Sequence, residues 1–429
     1  MIAIIGFGLF IVLLLMGIPI LFVLAVVAYI YFLHADMEPL MIMQRMFVGL
    51  DQFVIMAVPM FILAGNLMAA GGTLHRLIRF AKVLVGHMRG GLAHVNVVAS
   101  MFFAGITGAA TADVSALGPL EIELMTRGGY RKDFATAVTI SSSVIGPIIP
   151  PSLPLVVYGV VASASIGGLF LAGIIPGLLM GVSLMVLIYF MSFRLNVEQT
   201  PRPTIRELLD AFLKALGPLG LPLIIIVGIY AGIFTPTEAA AVASLYAFVL
   251  GKFVYRELKW KDVPDVLLKS AIITAASLSI LAMSNVMSWV FSVELIPVKL
   301  ATFLTSITES KFLLLLMINI GLLLLGCVME TLASIIITAP IFLPMIIQLG
   351  MDPIQFGVIV SINLTLGLLT PPLGLNLFIA SAITRLKVDR IAYVTLPFLA
   401  VLVAVVLLVT YIPDLSMFLP RVLMGIGAD

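Results

Sequence analysis

Charged side chains are scarce in this 429-residue sequence, where Asp, Glu, Lys and Arg together make up only 10%. A water-soluble domain carries roughly 25%, so the chain cannot cover a water-facing surface of ordinary size. Cysteine is nearly absent: Cys327 stands alone, which excludes an intramolecular disulfide framework and a cysteine metal cluster. The net charge of +2 gives no basis for a nucleic-acid partner. No Gly-x-Ser-x-Gly elbow, His-Glu-x-x-His pair or Cys/His cluster at ligand spacing occurs. Nothing in the sequence marks an enzyme.

Apolar residues instead make up 62%. They form runs near or beyond the roughly 20 residues that a bilayer-spanning helix needs, for example 2–33, 166–193, 312–329 and 391–412. The runs do not alternate as the strands of a membrane β-barrel would. The sequence therefore predicts an all-α, polytopic membrane protein in a lipid bilayer. Spans are expected near 2–33, 51–71, 166–193, 217–234, 237–252, 270–292 and 391–412. The first run has no preceding Lys or Arg and exceeds a signal-peptide core, so it reads as a span. Segment 34–50 is shorter and less clear.

Basic residues cluster in 76–89, 127–132, 194–214, 252–269 and 385–390. The positive-inside rule puts all five clusters on one, cytoplasmic, side. Residues 91–126 lie between two of them, and the Gly-rich, polar middle of that segment favours a hairpin that turns back inside the membrane. Segments 72–90 and 253–269 mix charged and apolar residues, as interfacial amphipathic helices do, with Trp260 as an anchor.

Punctuation residues recur at one spacing. Gly105 and Gly326, Pro119 and Pro340, Gly146 and Gly367, and Pro150-Pro151 and Pro371-Pro372 all stand 221 residues apart. Gly and Pro carry backbone geometry, so this points to a structural repeat. Each copy reads as a hairpin followed by a broken helix: 91–126 with 134–163, and 312–348 with 356–384. Five crossings fall between the hairpins, so the second copy is inverted, as in secondary transporters. The expected organisation is N-terminal scaffold spans and an arm helix in 1–90, the first transport repeat in 91–165, and scaffold spans with a second arm helix in 166–311. The second transport repeat follows in 312–390, then a terminal span and tail in 391–429.

Breaking a helix within the membrane frees carbonyls that suit a hard cation and amides that suit an anion. One expected polar cluster combines Thr107 and Thr111 with Ser141, Ser142, Ser143, Gly146 and the carbonyl of Ile149. The other combines Gly326 and Glu330 with Asn363, Thr365, Gly367 and Thr370. A symmetry-related pair of Na⁺ sites is the preferred reading, and hydroxyls that bond back to their own helices are the alternative. Glu330, in an apolar hairpin, calls for a cation or a proton. Asp113 poses the same question, or else caps a half-helix. Segment 134–193 has no charged residue and 312–384 has no Lys or Arg, so an anionic substrate there would need dipoles, hydroxyls and bound cations. Thr235 and Glu238 have capping-box spacing. His34, His75, His87 and His94 fall near span ends and read as interfacial.

The stretches GITGAATADVSALGP (105–119), SSSVIGPIIPPS (141–152), GIFTPTEAAA (232–241) and TPPLGLN (370–376) resemble the large permease subunit of TRAP (tripartite ATP-independent periplasmic) transporters. The resemblance covers essentially the whole chain. It implies an elevator-type, Na⁺-driven secondary transporter in the bacterial inner membrane. It also implies a small permease subunit of four spans and a periplasmic binding protein that delivers a small organic acid, such as sialic acid or a C4-dicarboxylate. Carried over by position, the family's cation sites fall on Thr107, Gly146, Ile149 and Pro151, and on Glu330, Gly367 and Thr370. Substrate-facing candidates are Thr111, Asp113, Ser141, Ser142, Pro150, Thr365, Pro371 and Asn376. A proton-coupled or binding-protein-independent carrier, and a channel, are the competing readings.

Overall fold

The structure is a computed structural model that describes residues 8–10, 12–13, 16, 18–193, 202–371 and 374–426. The side chains of 104–107 are also outside the described set. The helices, in chain order, are α1 (Ile20–His34), α2 (Leu40–Leu50), α3 (Ala57–Ala70), α4 (Thr73–Val85), α5 (Gly91–Thr107), α6 (Ala110–Arg127), α7 (Lys132–Ser143) and α8 (Leu153–Val161). There follow α9 (Ile166–Ser192), α10 (Ile205–Tyr230), α11 (Pro236–Val249), α12 (Val263–Val293) and α13 (Ile296–Ile307). The chain then forms α14 (Lys311–Val328), α15 (Thr331–Gln348), α16 (Pro353–Gly367), α17 (Leu375–Thr384), α18 (Val388–Tyr411) and α19 (Asp414–Met424). Among the described residues there is no strand.

Eight helical segments among the described residues are long and apolar enough to cross a bilayer. Phe190, Leu223, Val227, Leu324 and Leu396 face outward from them, each at least half exposed. Large apolar side chains on an outer surface suit a lipid surround.

The expected hairpins and broken helices are present. Hairpin 1 is α5 and α6, turning at Gly108 with φ of +60°, a conformation that favours glycine. Hairpin 2 is α14 and α15. The first broken helix is α7 and α8, and the second is α16 and α17. Each hairpin's second arm packs on the far half of the other copy's broken helix: α6 lies on α17, and α15 lies on α8. That reciprocal exchange is what an inverted repeat produces, because each copy completes the other's core.

The repeat also extends further than the hairpins and breaks. Pro176 inside α9 and Pro397 inside α18 keep the 221-residue spacing. The amphipathic helix α4 has its counterpart in α13, which begins 223 residues later. An interfacial amphipathic helix was expected in 253–269, and the structure corrects this. There the chain leaves a π-turn at Val254, makes a short 3-10 turn at Trp260–Asp262, and enters α12 at Val263. Pro264 in the first turn of α12 presets the helical φ, so the charged residues up to Lys269 ride on that long helix.

Other boundaries differ too. The fourth expected span, 217–234, begins earlier, at Ile205, because Thr204 and Glu207 form a capping box ahead of it. The first expected span, 2–33, lies partly outside the described residues; residues 8–10 and 12–13 are helical, and α1 runs from Ile20 to His34. The 34–50 segment contains the helix α2. Thr235 and Glu238 make the capping box their spacing predicts.

Packing divides the helices. α9 and α18 lie against the broken helices, and α19 against α9, whereas α11 and α12 each pack on α3. Ion pairs across helices gather the basic clusters at common ends. Arg76 meets Glu257 at 2.6 Å, and Arg79 and Lys214 both reach Asp210. Asp133, buried at the start of α7, accepts from Arg131 and from two nitrogens of Arg390. The clusters at 76–89, 194–214 and 252–269 are thus tied together, as are those at 127–132 and 385–390. Arg194 lies outside the described residues.

Candidate functional site

Both hairpin tips press against the breaks. At hairpin 1, the Gly108 backbone lies so close to the carbonyl of Pro151 and the amide of Leu153 that a Cβ there would be 3.1 and 3.0 Å from them. At hairpin 2, the Gly374 N–H donates to the Cys327 carbonyl at 3.1 Å. Gly326 and Gly367 touch backbone to backbone, and a Cβ on Gly367 would sit 2.1 Å from the Gly326 carbonyl carbon. At the second junction the repeated glycines Gly326 and Gly367 therefore have a shared cause: they mark where the hairpin meets the break.

Two carboxyl groups, Asp113 buried and Glu330 half-buried, approach these junctions by different routes. Asp113 lies in the first turn of α6 and is 1% exposed. Its Oδ2 faces Gly146, where a Cβ would come within 2.5 Å of it. The capping alternative for Asp113 is corrected, because the N-cap of α6 is Ala109. Glu330 is the N-cap of α15, and its Oε2 accepts from the amides of Leu332 at 3.0 Å and Ala333 at 3.4 Å. Its first electrostatic partner is thus a helix N-terminus, which favours a negative charge. Ala109 and Glu330 occupy the same repeat position.

The polar residues before the breaks split into two groups. Ser142 donates to Asn96 Oδ1 at 2.8 Å and accepts from Ser100 at 2.9 Å, while Asn96 donates to Thr139. Asn363, the repeat mate of Ser142, donates to Asn319 Oδ1 at 2.8 Å. These two candidates clamp the first arm of their own hairpin to the broken helix. Thr365 and Thr370 bond back to the carbonyls of Ser361 and Leu366, the alternative left open for hydroxyls. Asn96, Ser100 and Asn319 went unpredicted, although amides and hydroxyls in apolar hairpin arms are a readable signal.

The second group joins the two repeats. Asn376, fully buried on α17, donates from Nδ2 to Ser143 Oγ on α7 at 3.1 Å. Its Oδ1 has no hydrogen-bond partner among the described residues, and neither has the hydroxyl of Ser141, two residues before Ser143. Ile149 packs against Gly177 of α9. Pro150 is buried and Pro371 is exposed, while Thr111 is half-buried. The side chain of Thr107 and all of Pro372 lie outside the described residues. His94 is buried rather than interfacial, because its Nε2 is held by the Arg89 carbonyl at 3.1 Å.

An open cleft of about 550 Å³ lies elsewhere, lined by Gln52, Ser163, Ile229, Phe234 and Pro236 among others. It separates the end of the first broken helix from α10 and α11, and contains none of the predicted site residues.

This architecture has known counterparts. Residues 7–415 match the family described as "Tripartite ATP-independent periplasmic transporter, DctM component". The chain belongs to the DctM family. It is therefore a TRAP transporter large permease and a multi-pass membrane protein. The sialic acid large permease SiaM of Vibrio cholerae is 42% identical, over 90% of each chain. The C4-dicarboxylate large permease DctM of Pseudomonas aeruginosa is also 42% identical, over 88% of each. The isethionate permease DctMQ of Oleidesulfovibrio alaskensis is 40% identical across 96% of this chain, which spans 65% of that longer protein. Among solved structures, the Alcanivorax borkumensis YdaH transporter matches with a TM-score of 0.60 at 16% identity, covering 86% of each chain. MtrF of Neisseria gonorrhoeae, one of a class of antimetabolite efflux pumps, also reaches 0.60, at 12% identity over 86% of this chain and 82% of its own. At such identities these two speak to the fold alone.

Proposed function

We propose that this DctM-family chain is the Na⁺-driven carrier of a small organic acid across the bacterial inner membrane. The observation that carries the reading is the convergence of two hairpin tips and two helix breaks, bridged by Asn376 and Ser143. Exposed carbonyls at a break offer hard oxygen ligands to Na⁺. One cation site is built around Gly146, Ile149, Pro151 and Asp113, and the other around Glu330, Gly326, Gly367 and Thr370. The carboxylate of the cargo lies between them, with Ser141 and Asn376 as hydrogen-bonding groups. Segment 134–193 has no charged residue and 312–384 has no Lys or Arg, so bound cations supply the positive charge that an acid requires. Relatives carry names of sialic acid, C4-dicarboxylate and isethionate permeases, all acids, which supports that substrate class.

The two hairpins, the broken helices and the helices packed on them form the moving unit of an elevator. α3, α10, α11 and α12 remain with the membrane. A small permease subunit and a periplasmic binding protein complete the system. The test is uptake into liposomes that hold this chain with a small subunit, with and without a binding protein. Uptake should need both an inward Na⁺ gradient and the binding protein. Uptake indifferent to Na⁺ refutes the coupling, and uptake equal without any binding protein refutes the tripartite arrangement.

A further inference from the structure

Glu121 stands two turns beyond Asp113 on one face of α6, in the line Asp113, Leu117, Glu121, Met125, all buried. It is 2% exposed, and neither carboxylate oxygen meets a hydrogen-bond partner among the described residues. The three helices packed against α6 are α5, α7 and α17. On α5 the titratable group is His94, held at Nε2 by the Arg89 carbonyl. On α7 they are Lys132 and Asp133, the latter already shared by Arg131 and Arg390. The α17 segment has none. On α6 itself, Glu123 is engaged by Arg127 on the exposed face, and Tyr130 follows the helix. Among the described residues, the charge that bears on Glu121 is that of Asp113, of like sign.

An ionised Glu121 would thus be a dry, unpaired charge in the field of another acid two turns away, a costly state for a carboxylate. A metal cation would need several oxygen ligands, but the nearby polar set of Asn96, Ser100, Thr139 and Ser142 is bonded within itself. A proton needs only one carboxylate oxygen. We propose that Glu121 is a proton-binding site of the moving unit, separate from both helix breaks, and that its proton crosses with the cargo as an additional coupling ion. This rests on the carrier reading above. On the outer side an O–H bond forms between a carboxylate oxygen and a proton from water. On the cytoplasmic side that bond breaks and the proton returns to water. Glu121 lies six residues before Arg127, towards the basic end of hairpin 1, which suits release to that side.

Infrared spectroscopy of the reconstituted complex tests the site without relying on transport. The carbonyl band of a protonated carboxylic acid should appear in the wild type and lose one component in Glu121→Gln. An unchanged band overturns the proposal. Proton and cargo entry measured together should give a proton-to-cargo ratio that falls in Glu121→Gln, and an unchanged ratio overturns the coupling. If that variant does not fold, wild-type uptake driven by a pH gradient at equal Na⁺ decides the matter. No response overturns the coupling. Loss of Na⁺ dependence in the wild type would sink the sodium reading, while the infrared result stands or falls alone.

Discussion

The sharpest test of the hairpin-to-break contact is Gly367→Ala. A Cβ at position 367 would lie 2.1 Å from the carbonyl carbon and 2.4 Å from the Cα of Gly326, and 2.6 Å from the amide of Cys327. Ordinary contact for a Cβ begins at 3.4 Å, so the tip of hairpin 2 and the end of α16 must separate by more than 1 Å. Overpacking a core costs about 1–3 kcal/mol where side chains can rotate aside. Here every opposing atom is backbone, so a cost near the top of that range is expected. The separation also stretches the Gly374 to Cys327 hydrogen bond, worth about 1 kcal/mol net. Gly321→Ala is the control. It lies on the same helix as Gly326, yet nothing stands within 4 Å of its Cβ, and alanine is the better helix former by up to about 1 kcal/mol. Thermal unfolding of the purified chain should show Gly367→Ala melting several degrees below wild type, with Gly321→Ala at or above it. Na⁺-dependent uptake should fall with the first variant only. Equal melting of the two variants would refute the claim that this junction is closed by two glycines.

Two further substitutions separate structure from ion binding. Glu330→Ala should cost about 1 kcal/mol by removing the cap of α15, and Glu330→Ser, another capping residue, should recover that stability. If Glu330 also ligates a cation, Glu330→Ser will still need a higher Na⁺ concentration for half-maximal uptake; full recovery of both properties leaves it a cap alone. For the bridge between the repeats, a double-mutant cycle with Asn376→Ala and Ser143→Ala should give a coupling of about 1 kcal/mol in stability. Additive effects would mean that the bond contributes nothing.

The frame was legible because glycine and proline encode backbone events. Gly146 and Gly367 marked the breaks, Gly105 and Gly326 the hairpins, and the 221-residue spacing exposed the symmetry. The interfacial helix expected in 253–269 is absent because charge density there only imitates one, whereas Ile296–Ile307 carries only Lys299 and looks like ordinary apolar chain. The roles of polar residues were harder to read. Ser142 and Asn363 look like ligands when only their distance from a break is known. Their actual partners, Asn96 and Asn319, lie 46 and 44 residues away along the chain. Hydrogen bonds of that range are set by packing, and no local pattern announces them. Glu121 passed unnoticed for a similar reason: on α6 it sits two positions from the exposed, paired Glu123, and only the helix face tells them apart.

The backbone is two-fold, but its polar chemistry is one-sided. Asn376 and Ser143 form the bond between the repeats, whereas their mates at the same spacing are Leu155 and Leu364, which can form none. Hairpin 2 draws its carboxylate from the cap, Glu330; hairpin 1 has Ala109 there and places Asp113 one turn later, opposite Gly146. Glycine and proline have to repeat because both copies must bend alike, while nothing requires the ligands to match. Under the carrier reading, the two cation sites would then have different ligand fields. A two-fold frame around an asymmetric polar bridge also offers an acid only one hydrogen-bonding orientation. Exchanging the bridge, with Leu155→Asn and Leu364→Ser alongside Asn376→Leu and Ser143→Leu, should therefore not restore uptake, even if the variant folds. The restored bond would stand on the side where Glu330, and not Asp113, supplies the nearby charge.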